Sequence, residues 1–289
     1  MKFIILGSGG CQPIPRPCCQ CRVCKEARDK GRPYSRLGPA LFLMDINALF
    51  DTPEEICMEL NAFDIKSIDH VFYTHWHPDH TAGKRVFEQL NLDWLKDSVS
   101  KLGATKTTPV YANKIIWKEL NSIGSKFGSF FDYYKSQSII QRKTLTKEPV
   151  KIKDIKISTV FIKEKAGDCN VLIYIIEKGN KKVIYAPCDC KPFPKLELLK
   201  NADVLIIWSP FFEGKLKDGF VICPNNPLKK ELFSMDEIMK IIEEYKPKQT
   251  IITHIEEIWG KSYDDLKKIE NKYKKQNLKF AYDGMKLKV

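Results

Sequence analysis

Apolar residues fall along this chain mainly in short β-like runs. Phe3–Leu6, Ile68–Thr74, Pro109–Ala112, Ile155–Ile162, Val171–Glu177, Lys182–Ala186, Val204–Trp208 and Gln249–Thr253 have strand length, and Ala40–Met44 with Ala48–Phe50 reads as a strand pair. Between them lie helical patterns at Glu54–Ala62, Lys114–Ser122, Met235–Tyr245 and the Lys-rich Asp264–Lys275. A further helix opens at Pro78, since proline suits the first helical turn. Ser234 with Glu237 three residues later predicts a capping box, and Gly179-Asn180 between two β-runs predicts a hairpin turn. The aromatic stretch 127–134 fits no pattern clearly. Helices alternate with β-runs in both halves without a short repeat or linker, which predicts one α/β domain over residues 1–289 with two packed sheets.

The charge count, 48 Lys+Arg against 36 Asp+Glu, leaves a net +12. Much of it is lysine interleaved with acidic residues along Asp236–Lys246 and Asp264–Lys275, the pattern of a solvated helix face. It permits anionic substrates or nucleic acid, but forms no basic stripe interleaved with aromatics, so nucleic acid is not the favoured partner. No apolar run approaches the ~20 residues of a membrane span, and the opening Met-Lys-Phe-Ile-Ile-Leu-Gly-Ser-Gly-Gly is not a secretory leader. A cytoplasmic, reducing location is therefore expected, with no membrane partner. There, ten cysteines mean metal ligands, catalytic thiols or core filler rather than disulfides.

The chain has only five histidines, and three of them lie in His75-Trp76-His77-Pro78-Asp79-His80. Side chains two apart on extended backbone face the same way, so His75 and His77 can converge on one cation. Asp79 and His80, at a helix start, turn toward a neighbouring position. Four nitrogen and oxygen donors in two groups suit zinc, iron or manganese, and a two-metal site.

His-x-His-x-Asp-His after a strand resembles the signature of the metallo-β-lactamase superfamily, and the likeness runs along nearly the whole chain. Phe3–Gly10 is similar to the family's opening strand and glycine loop, Leu49–Thr52 to its strand ending in Asp, and Tyr185–Asp189 to the strand presenting a bridging Asp. Thr253-His254 is similar to the last ligand and Tyr282-Asp283-Gly284-Met285 to the closing strand. The resemblance implies a four-layer αββα sandwich. His75 and His77 would bind a first metal, Asp79, His80 and His254 a second, and Asp189 would bridge them. Cys188 and Cys190, flanking Asp189, could themselves coordinate. One ligand of the pattern is missing: residues 163–170 contain no histidine. Either Glu164, Asp168 or Cys169 substitutes, or the first site is weak or empty; His70, in the strand before the motif, cannot fill the role.

A second cluster, Cys18-Cys19-Gln20-Cys21-Arg22-Val23-Cys24, sits on a proline-stiffened segment read as a loop. Crowded thiolates repel unless a cation neutralises them, so Cys19, Cys21 and Cys24 point to structural zinc in an insertion around residues 11–38. Together with Glu26-Ala27-Arg28 and Tyr34-Ser35-Arg36, this cluster resembles the cyclic phosphodiesterases of the carbon–phosphorus lyase pathway and their relatives. The position of their fourth zinc ligand, a histidine, is Glu257 here, which leaves Glu257, Cys18 or another thiol as the fourth donor. Their general-acid histidine has no equivalent at Leu232-Phe233-Ser234.

The resemblance implies a metal-dependent hydrolase of a small, cyclic phosphodiester. Zinc or manganese would occupy one or two active positions beside one structural zinc, with Asp79 orienting the attacking water. A homodimer is plausible by the same resemblance. The competing expectations are a nuclease or RNA-processing enzyme on the same core, and a catalytically depleted, metal-stabilised ligand-binding module.

Overall fold

The computed structural model describes residues 1–96, 103–126, 128–163 and 169–289. The expected β-runs become strands β1 (Lys2–Gly7), β2 (Ala40–Leu43), β3 (Ala48–Phe50), β4 (His70–Phe72) and β5 (Thr108–Asn113). A small hairpin, β6 (Gly124–Ser125) and β7 (Gly128–Ser129), precedes β8 (Ile140–Leu145), β9 (Val150–Ile152) and β10 (Ile155–Ile162). Then come β11 (Val171–Lys178), β12 (Lys181–Ala186), β13 (Val204–Trp208), β14 (Thr250–Thr253), β15 (Leu278–Phe280) and β16 (Met285–Lys288).

One seven-stranded sheet runs β16-β1-β2-β3-β4-β5-β8, the other β15-β14-β13-β12-β11-β10-β9. Read from β16 in the first and from β9 in the second, each sheet repeats one scheme: three antiparallel pairings, then three parallel ones. The sheets pack face to face. Phe50 of the first sheet meets Tyr174 and Tyr185 of the second edge-on, at ring separations of 5.2 and 5.8 Å, and the Tyr174 hydroxyl donates to the Tyr73 carbonyl at 2.6 Å. The outer face of the second sheet is covered by the helices Met235–Tyr245, through Ile238, Ile241 and Ile242, and Tyr263–Lys272, through Leu266. The layers are those of an αββα sandwich. Ser234 and Glu237 form the expected capping box. The cysteine segment departs from expectation: Arg22–Lys30 is a helix, burying Val23, Cys24 and Ala27. Its apolar stripe is too short to stand out from the sequence. Among the described residues, no helix is long and apolar enough to cross a membrane.

The helix Ile56–Ala62 buries Glu59 completely, and neither carboxyl oxygen has a hydrogen-bond partner. Burial first, then the neighbouring Asp283 and Glu55, push its pKa well above the usual carboxylate range. Below about pH 4.5, the ordinary glutamate value, folded and unfolded chains are both protonated at this residue. As the pH rises, the unfolded chain ionises first, so stability falls until the folded group also titrates. Glu59→Gln is expected to remove this loss, leaving the variant about 1–3 kcal/mol more stable than the parent at pH 8 but not at pH 4. Denaturant titrations at the two pH values check it.

Candidate metal centre and cysteine cluster

The histidine-rich turn leaves β4 at its C-terminal end. Asp51 follows the parallel neighbour β3, Asp189 follows β12 and His254 follows β14, so four strand ends deliver the centre. Asp51, Asp189 and His254 take left-handed backbone, with φ of 66, 50 and 56°. Such conformations are costly for residues other than glycine, and they turn these side chains inward where the strands stop.

Two donor groups result, each with ligand atoms within 4.8 Å of one another: His75, His77, Cys169 and Asp189, and Asp79, His80 and His254. In the second, His254 Nε2 lies 3.2 Å from both His80 Nε2 and Asp79 Oδ2, and His80 Nε2 lies 3.4 Å from Asp79 Oδ2. In the first, Asp189 Oδ2 is 3.4 Å from His77 Nδ1 and 3.7 Å from His75 Nε2. The residues expected from the sequence therefore come together. Of the substitutes for the missing histidine, Cys169 joins the first group, while Glu164 and Asp168 lie outside the described residues. Asp189, expected as a bridge, clusters with the first group; the side chain that touches members of both is Cys188.

Behind the ligands runs a polar chain that the sequence reading did not assign. Asp51 accepts from the Thr74 amide and hydroxyl, each at 2.8 Å, and lies 2.8 Å from His80 Nδ1. The Thr74 hydroxyl, its proton committed to Asp51, accepts from His75 Nδ1 at 2.8 Å. Both imidazoles thus carry their proton on Nδ1 and turn an Nε2 lone pair into the centre, as metal-bound histidines do. Asp51→Asn would leave one acceptor oxygen for three donors. Metal affinity, measured by competition titration, is expected to fall about 10- to 100-fold.

The second group's charge balance also fits a cation. Burial by itself would raise the Asp79 carboxyl, but His80 and His254 hold it well below the usual range. Burial opposes protonation of His254, yet the facing Asp79 and Glu256 raise its pKa to about 10. The carboxylates call for positive charge there, which a divalent ion supplies without burying an unpaired proton site. Glu256 is another residue the sequence reading missed: its Oε1 lies 3.2 Å from His254 Nδ1, and it accepts from the Cys11 and Gln12 amides at 3.0 and 2.9 Å. Gly10 packs here, and a Cβ on it would come within 2.0 Å of Glu256 Oε1.

The cysteine cluster is completed from the other end of the chain. Glu257 Oε1 lies 3.2, 3.1 and 3.3 Å from the sulfurs of Cys19, Cys21 and Cys24. Cys18 is exposed and stands outside this group. Donors of a tetrahedral zinc are separated by about 3.5 Å, so the four fit one ion. Lys217 lies 3.1 Å from Cys19 Sγ and 2.7 Å from Glu257 Oε1. It offsets the cluster's negative charge. Beyond β13, Phe212 is core, packed on Trp259 and Phe280, whereas the ring of Trp208, the last residue of β13, stands 5.5 Å from that of His254.

No curated protein matches the chain. Among solved structures, a diphosphatase of the PhnP family is 21% identical with a TM-score of 0.68, the match covering 100% of this chain and 97% of that one. Zn²⁺-bound PqqB from Methylobacterium extorquens is 16% identical with a TM-score of 0.75 over 100% of both chains. The short form of human tRNase Z is 14% identical with a TM-score of 0.61 over 100% and 99%. At these identities the likeness is one of fold. The model of the β-lactamase superfamily domain matches residues 46–255, which spans β3 to the residue after His254. With this match, the αββα layers and the two donor groups, the chain belongs to the β-lactamase superfamily, as a hydrolase of the metallo-β-lactamase fold.

Proposed function

We propose that this hydrolase is a phosphodiesterase acting on a small, cyclic phosphodiester. The observation that carries the reading is the convergence of His75, His77, Asp79, His80, Asp189 and His254 from separate strand ends into two adjoining groups. A divalent cation bound there would lower the pKa of water to near neutrality and offset the charge of a phosphate. The protein's part is positioning. Asp51 and Thr74 hold two imidazoles in one tautomer, Glu256 steadies His254, and the ionised Asp79 orients water at the rim. Trp208, beside His254, offers an apolar wall to the organic part of a substrate. Solved relatives by fold include a PhnP-family diphosphatase and yeast PDE1, which supports phosphate chemistry here.

The test is metal analysis of chelator-free protein with zinc- and manganese-supplemented assays on a chromogenic phosphodiester. About three metals per chain with metal-dependent turnover is the expected result. One tightly held zinc and no turnover with any metal would establish the binding module instead. The +12 charge motivates the nuclease reading, for which RNA cleavage falling steeply with salt would replace salt-indifferent turnover of the small diester.

A further inference from the structure

Cys188 is fully buried in the centre, with Sγ 3.4 Å from His75 Nε2 and 3.3 Å from His80 Nε2. Those nitrogens belong one to each donor group, and the Thr74–Asp51 chain aims both lone pairs inward. Cys188 and Cys190 both belong to the apolar cluster of the second sheet, but the Cys190 thiol turns to the Ala186 carbonyl oxygen, at 3.9 Å. Cys188 instead occupies the space between two imidazole lone pairs. A second buried sulfur, on Cys169, lies within 4.8 Å of the ligand atoms of His75, His77 and Asp189. Imidazole nitrogen and thiolate sulfur on one tetrahedral cation, at about 2.0 and 2.3 Å from it, stand about 3.5 Å apart. The contacts of Cys188 have that spacing on both sides.

We propose that the active centre is a sulfur-containing metal site, with Cys169 a donor at the first position and Cys188 a sulfur shared between the first and second. The inference rests on the metal-dependent hydrolase reading and deepens it. Each thiol that coordinates gives its proton to solvent and its electron pair to the metal, with no change of oxidation state. Thiolate donors are soft, so the centre favours zinc over manganese more strongly than nitrogen and oxygen donors alone would.

Cobalt(II) loading of the full chain tests this, because thiolate-bound cobalt has a near-ultraviolet charge-transfer band. Cys19, Cys21 and Cys24 contribute a constant background. At equal cobalt content, the Cys169→Ser and Cys188→Ser variants are expected each to lose part of the band and the double variant to retain the background alone, while Cys190→Ser matches the parent. The zinc-over-manganese preference in competitive dialysis is expected to shrink by about tenfold or more in the double variant. Identical spectra for parent and double variant would overturn the proposal. Should the variants fail to fold, zinc X-ray absorption of the unaltered protein decides: summed sulfur coordination above the three that the cysteine cluster supplies supports it, and three overturns it. Metal-dependent phosphodiester turnover with only three sulfurs sinks the sulfur ligation and leaves the hydrolase standing. Absence of metal from the centre sinks both.

Discussion

Replacing His80 by alanine is expected to lower metal-dependent kcat/KM by about 10³-fold, the several kcal/mol that charge stabilisation by a bound cation is worth. His80 joins the second donor group to the polar chain behind it. His80 Nε2 lies 3.2 Å from His254, 3.4 Å from Asp79 and 3.3 Å from Cys188, and its Nδ1 lies 2.8 Å from Asp51. Alanine removes a ligand and also strips the buried Asp51 of its imidazole. Asp51 keeps its two bonds from Thr74, so the fold should survive with a stability loss of about 3 kcal/mol. Metal analysis should show about one fewer metal per chain, which separates ligand loss from unfolding. His70 provides the control. It lies in β4 beside the Tyr111 hydroxyl, at 3.3 Å, outside both donor groups. Turnover by His70→Ala should stay within about threefold of the parent, as for substitutions away from the centre. Full activity and unchanged metal content in His80→Ala would refute the assignment of the centre.

Cys24→Ser is expected to release the segment 11–38 and lower turnover as well. The apolar cluster of this segment is small: Ile14, Val23 and Ala27 are buried, with Cys21 and Tyr34 packed beside them. Beyond the buried Arg36, which donates to the Ser8 hydroxyl and the Ala281 carbonyl, so little apolar burial is a weak hold on nearly thirty residues, and small units of this kind depend on a staple. The staple here is the set Cys19, Cys21, Cys24 and Glu257, helped at the surface by the Arg22–Asp265 pair at 2.6 Å. Losing a buried ligand should cost about 3–5 kcal/mol and open residues 11–38 to limited proteolysis. The coupling to activity runs through adjacent residues. Glu257 belongs to the cysteine cluster, while Glu256 accepts from Cys11 and Gln12 and faces His254. When the segment lets go, Glu256 loses two donors and His254 loses its support, for an expected drop of about tenfold in turnover. An unchanged melting temperature with no new cleavage site would count against a structural metal there.

Local chemistry made part of the centre legible in the sequence. His75, His77, Asp79 and His80 lie within six residues, and the backbone geometry of a strand end running into a helix suffices to group them. Strand-length runs such as Val204–Trp208, and the Ser234–Glu237 cap, likewise depend on neighbours in the chain and appear where expected. Resemblance extended the reading to Asp189 and His254. The helix Arg22–Lys30 escaped because three buried positions among charged neighbours leave little pattern.

What the sequence left open or missed depends on distance along the chain. Glu257 meets sulfurs more than 230 residues away, Asp51 reaches His80 across 29, and Cys188 reaches His75 across 113. None of these contacts leaves a periodic or spacing signature, because the packing of two sheets brings the partners together. By itself the sequence determined many of the strands, the histidine motif and the three-cysteine cluster, since each is set by propensity and spacing over a few residues. Only the tertiary structure decided that Asp51 and Thr74 set the histidine tautomers, that Glu257 closes the cysteine cluster, and that a buried thiol stands between the two donor groups. Electrostatic and coordination partners are chosen in space, and the left-handed turns at Asp51, Asp189 and His254 aim them there.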